Sequence, residues 1–307
     1  MDNGDRTFRV GTRGSLLALT QTEWLVGKLK EAHPKSRFHI QIIQTTGDLR
    51  RDVPFAAVGT KGMFVKEIEQ ALLDGEIDMA VHSLKDLPGE LPDGLEILCT
   101  PPREDPRDAL IARNGLTLET LPANAAVGTS SIRRQSQLIH FRKDLQLMEL
   151  RGNLDTRLRK LDEGQYDAIV LACAGLNRLG LAHRITQSIP PSISLPAVGQ
   201  GALAIEGRSG EAAVRNLLHP VHDKDTADAI EAERGFQAAL DGGCTIPAGA
   251  YATVEGARIT LTALIAAPDG SQIVQIVDSA DRADARVLGI TVAERLLDRG
   301  GRAFLKG

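Results

Sequence analysis

The feature that most constrains the fold is a regular alternation of short apolar runs and amphipathic runs through the first two-thirds of the chain. Residues 8–11, 38–45, 78–83 and 95–100 are short and rich in apolar or β-branched side chains, the pattern of buried strands. Between them, residues 15–33 place Leu16, Leu19, Val26 and Leu29 on or near one face and stop at Pro34, while residues 62–73 carry a stripe of Phe64, Ile68, Ala71 and Leu72. Both segments predict helices. The alternation resumes beyond Pro106, with strands expected at 109–112, 125–128, 145–150 and 168–172 and helices at 132–141 and 154–161. Parallel strands need a crossover and a helix usually supplies it, so this order predicts α/β architecture with mixed, mostly parallel sheets. Pro101, Pro102 and Pro106 interrupt the pattern once, and residues 189–201, with Pro190, Pro191 and Pro196, interrupt it again. Both stretches read as crossings between domains.

The last third reads differently. Residues 226–240 form a helical pattern closed by Asp241-Gly242-Gly243, and residues 250–255, 258–266 and 272–279 read as strands joined by Glu255-Gly256 and Asp269-Gly270 turns. A closing helix at 282–298 completes a small α+β domain with a three-stranded antiparallel sheet.

The chain is 307 residues long, enough for two or three domains. Its 36 basic and 40 acidic residues leave a net charge of −4, which gives no electrostatic reason to expect nucleic acid or an anionic membrane as partner. Of the basic residues 26 are Arg and only 10 Lys, a bias that fits either base composition or recognition of carboxylates. The polar N-terminus and the lack of any apolar run of 18 residues argue against a targeting signal or a membrane span. Three widely spaced cysteines exclude a disulfide framework and a multi-Cys zinc site and suit a reduced, cytoplasmic setting.

Two segments share a local pattern. Val10-Gly11-Thr12 is followed by Arg13-Gly14-Ser15 and a helix, and Val127-Gly128-Thr129 by Ser130-Ser131 and a helix carrying Arg133 and Arg134. A strand, a Gly turn, hydroxyls and a helix start make either an anion site or a plain N-cap. Cys244, directly after two glycines, is open enough to be a nucleophile or an attachment point, whereas Cys99 and Cys173 sit in apolar runs and read as buried. Asp86 lies with His82, Ser83 and Lys85 at the exit of an expected strand, where open α/β sheets bind ligands. Arg13, Arg133, Arg134, Arg151, Arg157 and Arg178 recur at strand exits or first helix turns, where several could meet one polycarboxylate. His219 and His222, split by Pro220, read as loop residues, and no metal site is expected.

Residues 233–247, Glu-Arg-Gly-Phe-Gln-Ala-Ala-Leu-Asp-Gly-Gly-Cys-Thr-Ile-Pro, resemble the cofactor-attachment signature of the porphobilinogen deaminase (hydroxymethylbilane synthase) family. The blocks at 11–15, 82–88, 128–134, 151–157 and 195–201 match further family blocks in order, so the resemblance spans nearly the whole chain. It implies a dipyrromethane cofactor, held by Cys244 through a thioether, on which four porphobilinogen molecules condense with loss of ammonia before hydrolysis releases hydroxymethylbilane. It implies that Asp86 assists amine loss and steadies cationic intermediates, and that Lys85, Asp86, Ser131, Arg133 and Arg134 hold the cofactor. Arg13, Ser15, Ser83, Lys61, Arg151, Arg157, Arg178 and Gln200 would bind substrate carboxylates. It further implies three domains: residues 1–101 with 202–219 and residues 102–201, both resembling type II periplasmic-binding-protein domains, and residues 220–307. A cytoplasmic monomer with porphobilinogen as its partner is expected. Many members carry Lys where this chain has Ala57, which removes any expected role for that position.

Two other readings fit the residues less well. A solute-binding module would explain the paired anion-site pattern but not the Gly-Gly-Cys signature. A Cys-nucleophile hydrolase needs a His base, and none is close to Cys244 in sequence.

Overall fold

A computed structural model describes residues 6–49, 65–240 and 247–305 of the chain. The chain divides into two compact units, Met1–Arg103 with Ala202–Ala227, and Glu104–Gly201 with Asp228–Gly307.

The first unit is built on strands β1 (Thr7–Thr12), β2 (Arg37–Ile42), β3 (Met79–Ser83), β4 (Leu95–Cys99) and, after the chain returns, β10 (Leu203–Arg208). Their order is β2-β1-β3-β10-β4, with β10 antiparallel to both neighbours and the rest parallel. The helix Leu16–Ala32 begins where expected, with Ser15 as its N-cap. It buries Leu25 and Leu29 against Phe8, Val10, Met79, Val81 and Ile205 on one sheet face. Each such side chain is worth roughly 1.5–3 kcal/mol on burial. The opposite face, bearing Ala80, is covered by Ile68 and Leu72 of the helix Lys66–Leu73.

The second unit repeats the plan. Its strands β5 (Asp108–Ala112), β6 (Ala126–Gly128), β7 (Gln146–Met148), β8 (Ala168–Ala172) and β9 (Gln187–Ile189) run in the order β7-β6-β8-β5-β9. Here β5 is the antiparallel strand, paired with β8 and β9. In each sheet the odd strand is therefore the one formed just after the chain crosses from the other unit. The architecture is α/β with two mixed, mostly parallel sheets, plus a third sheet.

That third sheet is antiparallel, β11 (Ala248–Glu255), β12 (Arg258–Ala266) and β13 (Ile273–Asp281), and belongs to the second unit. The helices Lys224–Ala239 and Ala285–Asp298 supply Phe236, Val292 and Leu296 to its core. The helices approach closely because of glycines: a Cβ on Gly289 would fall 2.0 Å from the Ala232 carbonyl oxygen, and one on Gly235 2.3 Å from that of Arg286. Among the described residues no helix is long and apolar enough to cross a membrane.

Most expected elements recur within a few residues. The strands β9 and β10 and the helices Cys173–Arg178 and Ala212–Leu218 carried no recognisable period, and tertiary pairing makes them.

Candidate active site

In the first unit, the C-terminal ends of β1 and β3 and the start of the helix Leu16–Ala32 enclose a cleft of about 60 Å³. Arg13, Ser15, Gln21, His82, Ser83 and Asp86 supply its polar lining. The local fold explains the gathering. Parallel β1 and β3 end side by side, so the turn after β1 and the 3₁₀ turn Leu84–Asp86 after β3 face the same space. The Leu84 N–H donates to the Ala202 carbonyl at 3.0 Å and the Leu87 N–H to that of Leu84 at 3.0 Å, which fixes the turn that carries Lys85 and exposed Asp86. Ser15 accepts the Ala18 N–H at 3.3 Å, so this hydroxyl does serve as a cap. Gln21, which sequence reasoning passed over, donates from Nε2 to the Ser83 hydroxyl at 3.0 Å and orients it. Only the i+4 spacing of Leu17 and Gln21 on the cleft side of the helix could have signalled it.

In the second unit, Ser131 caps the helix Ile132–Phe141 by accepting the Arg134 N–H at 3.4 Å. Arg133 and Arg134 then turn inward and are buried. Between them lies Asp108, wholly buried, 2.9 Å from Arg133 Nη1 and 2.8 Å from Arg134 Nη2. Burial alone would raise Asp108, but the two guanidinium groups outweigh it and hold the carboxyl well below its usual range. Ser194 donates to Asp108 at 2.7 Å and Gln200 Nε2 at 2.9 Å. Arg133 Nη1 also donates to the Leu195 carbonyl and Arg134 Nη1 to that of Val170. Ser131, Arg133, Arg134 and Gln200 thus share one network, whose centre, Asp108, the sequence did not flag.

Other expected residues stand apart from both groups. Arg151 pairs with Glu149, and Arg157 Nε donates to the Gly152 carbonyl at 2.7 Å beside the Asn153-capped helix Leu154–Asp162. Arg178 Nη2 donates to the Gly201 carbonyl at 2.6 Å. Cys244, Lys61 and Ala57 lie outside the described residues. The helix leading to Cys244 is nevertheless anchored: buried Glu233 accepts the N–H groups of Gly199 at 2.7 Å and Ala252 at 2.9 Å. Glu233, the first residue of the 233–247 motif, therefore serves to fix that helix.

Two α/β sheets of one plan, each with a hydroxyl-capped helix start and an arginine beside a strand exit, define the class of the protein. A family model described as porphobilinogen deaminase, dipyromethane cofactor binding domain, matches residues 8–216, and one for the porphobilinogen deaminase C-terminal domain matches residues 227–298. A porphobilinogen deaminase of Brevibacillus brevis is 54% identical, covering 95% of this chain and 94% of the relative. One of Syntrophotalea carbinolica is 50% identical over 97% of this chain and 95% of the relative. A YaeC-family lipoprotein of Enterococcus faecalis has a TM-score of 0.43 at 15% identity, covering 75% of this chain and 97% of that one. The chain belongs to the porphobilinogen deaminase family. It is an enzyme, a transferase of tetrapyrrole biosynthesis that makes hydroxymethylbilane and works with a dipyrromethane cofactor.

The cleft residues fit such a group. Arg13 and the Ser15 and Ser83 hydroxyls are donors for a carboxylate, and Asp86 is an acceptor for a ring N–H.

Proposed function

We propose that Cys244 holds the dipyrromethane through a thioether and that the Asp86 cleft is where porphobilinogen, losing ammonia, is joined to it. The observation that carries this reading is the convergence of two family blocks on one cleft, Arg13 and Ser15 from the first and Ser83 and Asp86 from the second. The cofactor, when bound, would supply the nucleophilic pyrrole carbon for the first condensation and anchor the chain that grows from it. Asp86, exposed at the mouth of the 3₁₀ turn, accepts pyrrole N–H groups and gives a proton to the departing amine. Arg13 and Lys61 neutralise acetate or propionate groups, and Lys85 holds the cofactor.

Ser131, Arg133 and Arg134 are cofactor-binding residues. Two guanidinium groups share the Asp108 carboxylate, so their cluster keeps one positive charge in excess, and a ligand carboxylate balances it. Gln200 positions these arginines, and Arg151, Arg157 and Arg178 serve carboxylates of the growing chain. The protein acts as a cytoplasmic monomer of three domains, residues 1–101 with 202–219, 102–201 and 220–307. Its partner is porphobilinogen, with no nucleic acid or membrane.

Intact mass spectrometry tests the core of this. The active protein is expected to carry an adduct of two pyrrole units, absent from Cys244→Ser, while Asp86→Asn keeps the adduct and loses most turnover. Active protein of unmodified mass, or near-normal turnover of Asp86→Asn, refutes it.

A further inference from the structure

Beneath the cleft the first unit hides three titratable side chains. His82 is buried on β3, and Nε2 lies 3.0 Å from Oε2 of Glu206, which is wholly buried on β10. The register explains the contact: Ala204 faces His82 and Ala80 faces Glu206 across the antiparallel pair, so His82 and Glu206 are diagonal neighbours on one sheet face. The helix Lys66–Leu73 covers that face and brings Glu69, itself buried. Both Glu206 oxygens, His82 Nε2 and Glu69 Oε1 are buried without a well-oriented hydrogen bond. Two carboxylates and an imidazole in such a space cannot all carry their ordinary charges. Burial first, and Glu206 second, push the Glu69 carboxyl up to about 7, against the opposing pull of His82.

A core that only needed stability would not place three such groups under one sheet. Their position suggests a use, because His82 also lines the cleft beside Ser83 and Asp86. The reaction needs a proton held and returned. The amine of each incoming porphobilinogen takes up one proton and leaves as ammonia with the electron pair of its C–N bond. The accepting pyrrole carbon forms the new C–C bond and gives its hydrogen back as a proton. Over the cycle none is consumed.

We propose that His82, Glu206 and Glu69 form a proton-holding relay under the cleft, in which His82 passes a proton between the Asp86 side and the two buried carboxylates. His82 and the carboxylates are positioning residues acting through Asp86, and the proposal rests on the reading of this cleft as the reaction site. The charged groups around the relay are few. β3 and its turn bring His82, Lys85 and Asp86, and Arg13 faces the cleft from the turn after β1. β10 brings Glu206. On β4, Cys99 is pushed up to about 12 by burial and is neutral, and Glu96 is paired with Arg215. On the covering helix, Glu67 is bound to Thr46, which leaves Glu69 to answer to Glu206 and His82.

The test uses the cofactor-loaded enzyme with Glu69→Gln and Glu206→Gln, checked for native circular dichroism. Glu69→Gln is expected to lower kcat about tenfold, less than the roughly hundredfold at the low end for a group that transfers the proton directly, with KM for porphobilinogen within about twofold. It should also remove a near-neutral ionisation from the kcat–pH profile. A profile of unchanged shape overturns the relay. Infrared difference spectra of the same holoenzyme between pH 5 and 9 provide a readout independent of turnover. A buried protonated-carboxyl band that titrates near neutral pH is expected in the parent and lost in Glu69→Gln, and its absence from the parent also overturns the proposal. If that band behaves as expected while Asp86→Asn turns over normally, the reading of the cleft has failed rather than the titrating cluster.

Discussion

Asp108 gives the sharpest quantitative expectation. Asp108→Asn keeps the shape and an acceptor for Ser194 but leaves Arg133 and Arg134 buried without their carboxylate. Removing one partner of a buried ion pair costs about 3–5 kcal/mol, because the stranded charge has already lost its water. Two cations are stranded here, so a loss near the upper end of that range is expected. The pH dependence follows from the depressed carboxyl. The folded value lies below the ordinary 3.8, so its stabilisation is complete above that pH and is lost only as pH falls through the folded value. The difference between parent and variant is therefore flat from pH 5 to 8. Native-state amide exchange of β5 and β8, with denaturant midpoints alongside, measures it. The double variant Asp108→Asn/Arg133→Gln removes one of the stranded cations and should cost less than the sum of the two single changes. A single-variant loss under about 1 kcal/mol, or additivity within about 0.5 kcal/mol, would refute the claim that Asp108 is the counter-charge of the pair.

Two further expectations are more local. Gly289→Ala should destabilise by about 2–3 kcal/mol, since its Cβ would meet the Ala232 carbonyl and the Phe236 nitrogen at 2.0 and 2.6 Å. Gly27→Ala, in the helix Leu16–Ala32 with nothing within 4 Å, should be stabilising by up to about 1 kcal/mol, and denaturant unfolding of both variants decides. Burial pushes the Cys99 and Cys173 thiols up to about 12 and about 11, so in a Cys244→Ser background both should resist a thiol reagent at pH 8 until the protein unfolds. Reaction of either at the rate of a free thiol in the folded state would contradict their burial.

What the sequence made legible were the features with local causes. The helix Ile132–Phe141 and the strand Arg258–Ala266 follow directly from periodicity, and Ser15 and Ser131 from the chemistry of helix starts. β10 was illegible because Leu-Ala-Ile-Glu-Gly-Arg has a charge and a glycine where a central strand would show apolar residues. Its place is set by β3 and β4, more than a hundred residues earlier, and by the chain's return to the first unit. Glu69 reads as a solvent-facing charge between Ile68 and Ala71, yet the sheet covers it.

The arginines show why a motif can mark the right residues and still leave their surroundings unread. Arg133 and Arg134 stand out beside a strand exit, but a guanidinium can rest inside a protein only against an anion and carbonyl oxygens. Those come from Asp108 on the antiparallel strand, Val170 on β8 and Leu195 on the crossing segment. No spacing rule joins these positions, because 25 to 62 residues of chain separate each arginine from its partners. Arg13, by contrast, sits beside its own helix N-terminus, and the cleft it lines is made by a turn one residue after its own strand. Sequence therefore exposes a site in proportion to how much of it one strand–turn–helix unit builds. The Asp86 cleft is mostly of that kind, and the Asp108 cluster and the His82–Glu206–Glu69 group beneath the cleft are not.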